Sequence, residues 1–209
     1  KAERPLIIGG NGIKLSNSQD LFRLFVNQSK LPTTLSWSGI DILDHDNPNF
    51  FGRFGIYGQR AANFIVQSAV LLIVIGSRLA LPQTGYNFDE FVRKGKIIII
   101  DIDDPQLPKA NIYKHFKIDC NFILKDLNSN INKLKVVNKN WIDYCKKTFK
   151  KYPWIESDHN SIKGYVNSYQ FMDRLSEFLN KDDIIVTDMG TALLSGHQAL
   201  KLKSSQRRF

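Results

Sequence analysis

Four short aliphatic runs do most to limit how this chain folds: residues 6–8, 71–75, 97–102 and 184–186. Each is a continuous stretch of Ile, Val and Leu rather than an alternation of apolar and polar residues. That pattern belongs to strands covered on both faces, as in a parallel sheet between two helical layers. A weaker run covers residues 33–37. Stretches of helical period lie between the runs. Residues 18–29 bring Leu21, Leu24 and Phe25 to one face, with Ser16 or Asn17 as N-cap. Residues 58–68 group Ala61, Phe64 and Ile65. Residues 120–134 repeat Ile123, Leu127, Ile131 and Leu134 after Asp119 as N-cap. Strand and helix alternate, which predicts an α/β chain with a doubly wound, mainly parallel sheet.

The rhythm breaks over residues 135–164, which are rich in Lys and Asn and hold one short helix, 141–149. A second unit then begins. Residues 165–180 read as a helix with Phe171, Leu175, Phe178 and Leu179 on one stripe. A turn at Asp182-Asp183 leads to a strand over 184–187, and Asp188-Met189-Gly190-Thr191 forms a loop that opens another helix. The expected organisation is a central domain over 1–150, a linker over 151–164 and an incomplete α/β unit over 165–209. A length of 209 residues suits one domain plus part of another. The abrupt ends are read as those of a fragment. The last 45 residues, short of sheet partners, are expected to be poorly packed or to lean on the central unit.

The formal charge of +9 is concentrated: residues 121–151 carry eight Lys against two Asp, a net +6. No stretch interleaves Arg with aromatics as a single-strand binding platform does. The lysines are therefore read as a solvated surface, with no nucleic-acid partner expected. Cys120 and Cys145 form no CxxC pair and no metal spacing, and are read as inert thiols. With no signal peptide at Lys1, they make a reducing, cytoplasmic setting the expectation. The longest apolar run, 69–76, is too short to span a bilayer. His45, His115, His159 and His197 are scattered, and no Walker, HExxH or Ser-His-Asp pattern occurs. No residue of the chain is expected to be catalytic or to bind metal.

Five loops carry what chemistry there is. Ile8-Gly9-Gly10-Asn11-Gly12 follows the first strand and either lets backbone amides approach a phosphate or simply turns tightly. Phe51-Gly52-Arg53-Phe54-Gly55-Ile56-Tyr57-Gly58 precedes a helix and reads as a ligand-facing or surface loop. Ile75-Gly76-Ser77-Arg78 ends the most apolar strand and sets an Arg where ligands of open sheets bind. Asp101, at the end of its strand, accepts from a ribose hydroxyl or caps a turn. The loop from Thr187 to Thr191 is again strand, Gly turn and helix, suited to a diphosphate.

In this order and spacing, the loops resemble those of thiamine diphosphate-dependent enzymes of the acetolactate synthase type. That family's middle domain carries a GG-x-G turn, a GxxG loop, a G-x-R strand end and a D-I-D strand end, matched by Gly9 to Gly12, Gly55 to Gly58, Gly76 to Arg78 and Asp101 to Asp103. The stretch Tyr57-Gly58-Gln59-Arg60-Ala61-Ala62-Asn63 is similar to its hG-x-x-x-AN helix start. The resemblance implies a Rossmann-like central domain with FAD or another adenine nucleotide at Gly9, Gly10, Thr34, Leu35, Gly55, Gly58, Gly76, Arg78, Asp101 and Asp119. It also implies the start of the diphosphate-binding domain, with Gly190 and Thr191 touching thiamine diphosphate. Residues 79–83, Leu-Ala-Leu-Pro-Gln, replace the family's acidic stretch, and Thr191-Ala192-Leu193 stands where acetolactate synthases carry Gln and His. The implied parent binds thiamine diphosphate and Mg²⁺, decarboxylates a 2-keto acid, ligates the remainder to an acceptor, and works as a dimer or tetramer. The activating glutamate and the Mg²⁺ motif of the family are not among these residues, so the chain alone is expected to be inactive. Two other readings stand beside this one: a non-catalytic NAD- or ADP-binding module, and a structural spacer with an emptied pocket.

Overall fold

In a computed structural model, which describes residues 2–203 and 206–208, the chain begins with β1 (Pro5–Gly9), α1 (Gly12–Leu15), α2 (Gln19–Ser29), β2 (Thr33–Leu35) and β3 (Phe50–Arg53). It continues through α3 (Arg60–Ser68), β4 (Leu71–Ile75), α4 (Leu81–Thr84), β5 (Lys96–Ile100) and β6 (Lys114–Phe116). The later elements are α5 (Cys120–Ser129), α6 (Lys139–Lys151), α7 (Ser168–Phe178), β7 (Ile184–Ile185), α8 (Thr191–Ala199) and β8 (Arg207–Arg208).

Six parallel strands form the main sheet in the order β3-β2-β1-β4-β5-β6. Three of the aliphatic runs build its middle: Ile8 pairs with Val74, and Val74 with Ile99. The fourth, 184–186, lies outside this sheet with Ile184 and Val186 exposed, because its two-stranded sheet covers neither face fully. Leu6, Ile7, Ile8, Leu72 and Val74 are fully buried. Each such side chain contributes about 1.5–3 kcal/mol of transfer free energy. The connections put α1, α2 and α5 together on one face and α3 and α6 on the other, as the right-handed rule for parallel crossovers requires. The doubly wound α/β architecture is thus the one the aliphatic runs predict.

Several local expectations change. The buried face of α2 is Phe22, Phe25 and Val26, while Leu24 is exposed. Its N-cap is Ser18, because the Ser16 hydroxyl instead donates to Ile13 O. In α3 the buried set is Ala61, Ala62, Ile65 and Val66, and Phe64 faces Tyr152 at 4.9 Å near the surface. The Phe51-Gly52-Arg53 stretch is not loop but the edge strand β3, buried throughout. Strand β5 stops at Ile100 rather than 102, because the Asp101 carboxylate accepts from Asp103 N at 2.9 Å and turns the chain. Helix α5 ends at Ser129, where the Asn130 side chain bonds back to Asp126 O, and a short 3₁₀ turn follows. All eight lysines of 121–151 are exposed.

The second unit holds α7, α8 and the two-stranded parallel sheet β7-β8. Its small core is Met172, Ile185, Ala199, Leu200 and Leu202, completed by Ile40 of the central unit. Phe171 and Phe178, expected on the inner stripe of α7, are exposed; Met172 and Ser176 are buried instead. Residues 151–164 carry the buried Trp154, whose ring lies 4.3 Å from that of His45. Among the described residues no helix is long and apolar enough to cross a membrane.

Candidate functional site

The strand order reverses between β1 and β4, since β2 and β3 continue to one side and β5 and β6 to the other. Crevices of open α/β sheets form beyond the carboxyl ends of strands at such a switch point. A cleft of about 360 Å³ lies there, lined by residues that follow β1, β2, β4, β5 and β6. Its volume is at the low end for small-molecule sites.

The cleft floor is backbone packed on backbone. Gly10 N donates to Ile75 O and Gly12 N to Gly76 O, both at 2.9 Å. A Cβ on Gly10 would stand 2.2 Å from Gly76 O, and one on Gly12 would stand 2.7 Å from the Gly76 Cα. Gly76 itself has φ +68°, which favours glycine. These glycines therefore let the turn after β1 pack directly on the end of β4, and their bonded amides stay in the fold.

The walls are polar. Asp101 is 7% exposed, and burial raises its carboxyl above the usual range. Arg78 is half exposed, with its guanidinium 3.9 Å from Asp103. Asp119 caps α5, accepting from Asn121 N at 2.7 Å. Ser77 Oγ donates to Gln83 Oε1 at 3.1 Å, which also accepts from Ala80 N, so the loop after β4 is held by its own side chains. Burial and the carboxylates of Asp101 and Asp119 push the Cys120 thiol up to about 12, so it is a protonated wall group.

The structure thus brings Gly76, Arg78, Asp101 and Asp119 together in the cleft, with Gly10 directly beneath. It places other expected residues elsewhere. Gly9 lies against Phe22 and Leu35, in the core rather than at the cleft. Thr34 and Leu35 are fully buried in β2, and the Thr34 hydroxyl has no partner. Gly55 and Gly58 form a turn behind α4, where Ile56 N donates to Pro82 O at 2.8 Å. Ser77 and Asp103, from the Gly76–Arg78 and Asp101–Asp103 motifs, line the cleft as well, and so do Ser36 and Ser38, which the sequence did not single out. Their only signal is position, one to three residues past a strand.

A second trough of about 420 Å³ adjoins the cleft and shares Asn11, Leu15 and Ser38 with it. It is basic, with Lys14, Arg207 and Arg208 in its walls and Leu193 of α8 at its edge. The Lys14 ammonium pairs with Asp41 at 2.9 Å. A larger cleft of about 880 Å³, lined by Arg4, Phe64, Arg93, Trp141 and Tyr144 among others, opens at the opposite, amino ends of the strands. Among the described residues no three metal-ligating side chains converge.

Gly190 and Thr191 stand apart, at the exposed start of α8. Gly190 has φ +95° and ψ −144°, a region almost reserved for glycine. No side chain caps this helix, no acidic residue sits in its first turn, and nothing lies within 4 Å of where a Gly190 Cβ would be. Its first N–H groups are open to an anion.

Residues 1–133 match the family model described as thiamine pyrophosphate enzyme, central domain. The chain is 27% identical to the acetolactate synthase isozyme 2 large subunit of Escherichia coli (strain K12), covering 91% of this chain and 33% of that protein. It is 32% identical to a probable acetolactate synthase large subunit of Methanocaldococcus jannaschii, with the same coverage of each. The acetolactate synthase large subunit of Cyanidium caldarium is 27% identical over 99% of this chain and 35% of its own length. The chain therefore spans about one third of the length of these relatives. They give no support to the readings as a nicotinamide-nucleotide module or an emptied spacer. The family model covers well over half of the chain, and the chain belongs to the thiamine pyrophosphate enzymes, with residues 1–133 as their central domain.

Proposed function

We propose that this chain is the nucleotide-binding unit, with the opening elements of the diphosphate-binding unit, of an acetolactate synthase-type enzyme that decarboxylates a 2-keto acid and ligates the product to an acceptor. The observation that carries the reading is the convergence of Gly76, Arg78, Asp101 and Asp119 on one cleft at the switch point. An adenine nucleotide fits that donor set. The Asp101 carboxylate, at a strand end, accepts from ribose hydroxyls, and the Arg78 guanidinium faces phosphate. The adjoining basic trough gives a dinucleotide such as FAD room to extend. The deep positions of Gly9, Thr34 and Leu35 suit a role in shaping the floor.

Thiamine diphosphate, when bound, supplies the nucleophilic carbon and electron sink for decarboxylation. Gly190 and Thr191 are the proposed contacts of this chain to its diphosphate, through the open amides and the positive end of α8. Mg²⁺ is assigned to no residue of this chain. The parent is expected to be a homo-oligomer, and the 209-residue chain to turn over no keto acid by itself.

Isothermal titration of the purified chain with FAD, ADP, NAD and thiamine diphosphate tests the reading. Micromolar binding of FAD or ADP that drops about tenfold in Arg78→Ala, in line with losing one charge-assisted phosphate contact, is the expected result. Silence from FAD and ADP alike contradicts the nucleotide assignment.

A further inference from the structure

Helix α8 is a short rod whose far end is held by the central unit. Its nine residues are too few for stability on their own in water. The last turn of any helix leaves its carbonyls without partners. Here Gly196 O accepts from Leu200 N at 3.2 Å, and two side chains from elsewhere answer the neighbouring carbonyls. Arg53, at the end of β3 and 1% exposed, donates Nη1 to Gly196 O at 3.3 Å and to His197 O at 2.7 Å. It donates Nη2 to Leu200 O at 2.7 Å. Gln59, the N-cap residue of α3, donates Nε2 to Gln198 O at 2.6 Å. The Gln59 Oε1 meanwhile accepts from Arg53 N at 2.9 Å, which locks the pair to each other.

Stacked rings add a second attachment. His197 of α8 is fully buried, stacked on Trp37 with ring centroids 4.9 Å apart and planes nearly parallel at 16°. Trp37 in turn meets Tyr57, of the Gly55–Gly58 turn, edge-on at 5.5 Å. Neither ring nitrogen of His197 has a hydrogen-bond partner, so the imidazole is held as a flat apolar plate. Trp37 sits between Ser36 and Ser38, both of which line the central cleft. Arg53 and Tyr57, from the stretch read in the sequence as a ligand-facing or surface loop, are thus engaged with α8 and its stack.

We infer that Arg53, with Gln59 and the Trp37–His197 stack, acts as a positioning device that sets the direction of α8 and so the place of the Gly190–Thr191 turn relative to the central cleft. A helix of nine residues is a rigid lever of about 13 Å, so holding one end fixes the other. The inference rests on the reading of Gly190 and Thr191 as diphosphate contacts only for its functional consequence.

Hydrogen exchange on the whole chain, compared between the wild type, Arg53→Lys, Arg53→Met and Trp37→Leu, tests the device. In Arg53→Met the amides of α8 are expected to exchange at least about tenfold faster, as for loss of charged hydrogen bonds, while those of β1 and β4 stay within about twofold. Arg53→Lys, with a single ammonium, should fall between the two, and Trp37→Leu should give a smaller acceleration confined to α8. Inorganic pyrophosphate, followed through the Gly190 and Thr191 amide signals, provides the functional readout and should bind more weakly in Arg53→Met. Wild-type protection of α8 in Arg53→Met overturns the inference, as does joint loss of protection in α8 and the central sheet in both Arg53→Met and Trp37→Leu. If pyrophosphate moves neither amide in the wild type while Arg53→Met still loosens α8, the positioning stands and the diphosphate reading falls.

Discussion

The two strand–glycine–helix turns of this molecule, one after β1 and one after β7, look alike in sequence and behave differently. Gly10 and Gly12 are pinned between strands, their amides bonded to the β4 end. Gly190 is open, exposed and uncapped. The first turn lies in a six-stranded sheet that supplies neighbours on both sides. The second lies in a two-stranded sheet, beside exposed Ile184, Val186 and Met189. The same local signal thus yields a packed floor where the sheet is wide, and an open amide cluster where it is narrow.

Substitution at the packed turn should produce the largest effect. Gly10→Val drives a Cβ to 2.2 Å from Gly76 O, where only backbone can move. It should cost more than about 4 kcal/mol and unfold the central sheet, checked by urea denaturation. Gly190→Ala meets no atom within 4 Å but must adopt φ +95°, so about 1–3 kcal/mol, felt only in the second unit, is expected. Equal effects at the two glycines would erase the contrast.

Acid should sharpen it next. Burial lowers His197 to about 3, helped by Arg53 and Arg208, and lowers His45 to about 4. Both folded values lie below the ordinary 6.5 of an unfolded chain, so the unfolded state binds more protons in between. Their contribution to stability is full above pH 6.5 and is lost as pH falls from there toward 3–4, by up to about 1.4 kcal/mol per pH unit and histidine. Thermal melts across pH 4–7 should show this slope, and His197→Phe, which keeps a ring against Trp37, should flatten it. The smallest effect belongs to the exposed edge: Met189→Ser should change stability by less than about 0.5 kcal/mol.

What the sequence made legible follows from the range of the forces involved. Three of the aliphatic runs revealed the sheet because burial on both faces is written into consecutive residues, whereas 184–186 carries the same pattern with Ile184 and Val186 exposed. Gly76, Arg78 and Asp101 were legible as residues at the strand ends, where the cleft lies, because they follow those runs directly. Leu24 and Phe64 were misread because several faces of a short amphipathic helix are apolar, and only the neighbouring element decides which is covered. Arg53 and Gln59 were invisible in their actual role. Their partners are carbonyls about 140 residues away in sequence, and a carbonyl carries no sequence signal. Ser36 and Ser38 were missed because a serine after a strand is common in any fold.

The assignment of the switch-point cleft, rather than the roomier one at the amino ends of the strands, is the claim on which the functional reading turns. Hydrogen exchange with saturating ADP tests it most directly. Protection confined to the loops after β1, β4 and β5, around Gly12, Gly76 to Arg78 and Asp101, is the predicted result. Protection around Arg4, Arg93 and Trp141, with those loops unchanged, would place the nucleotide at the opposite edge and contradict the account.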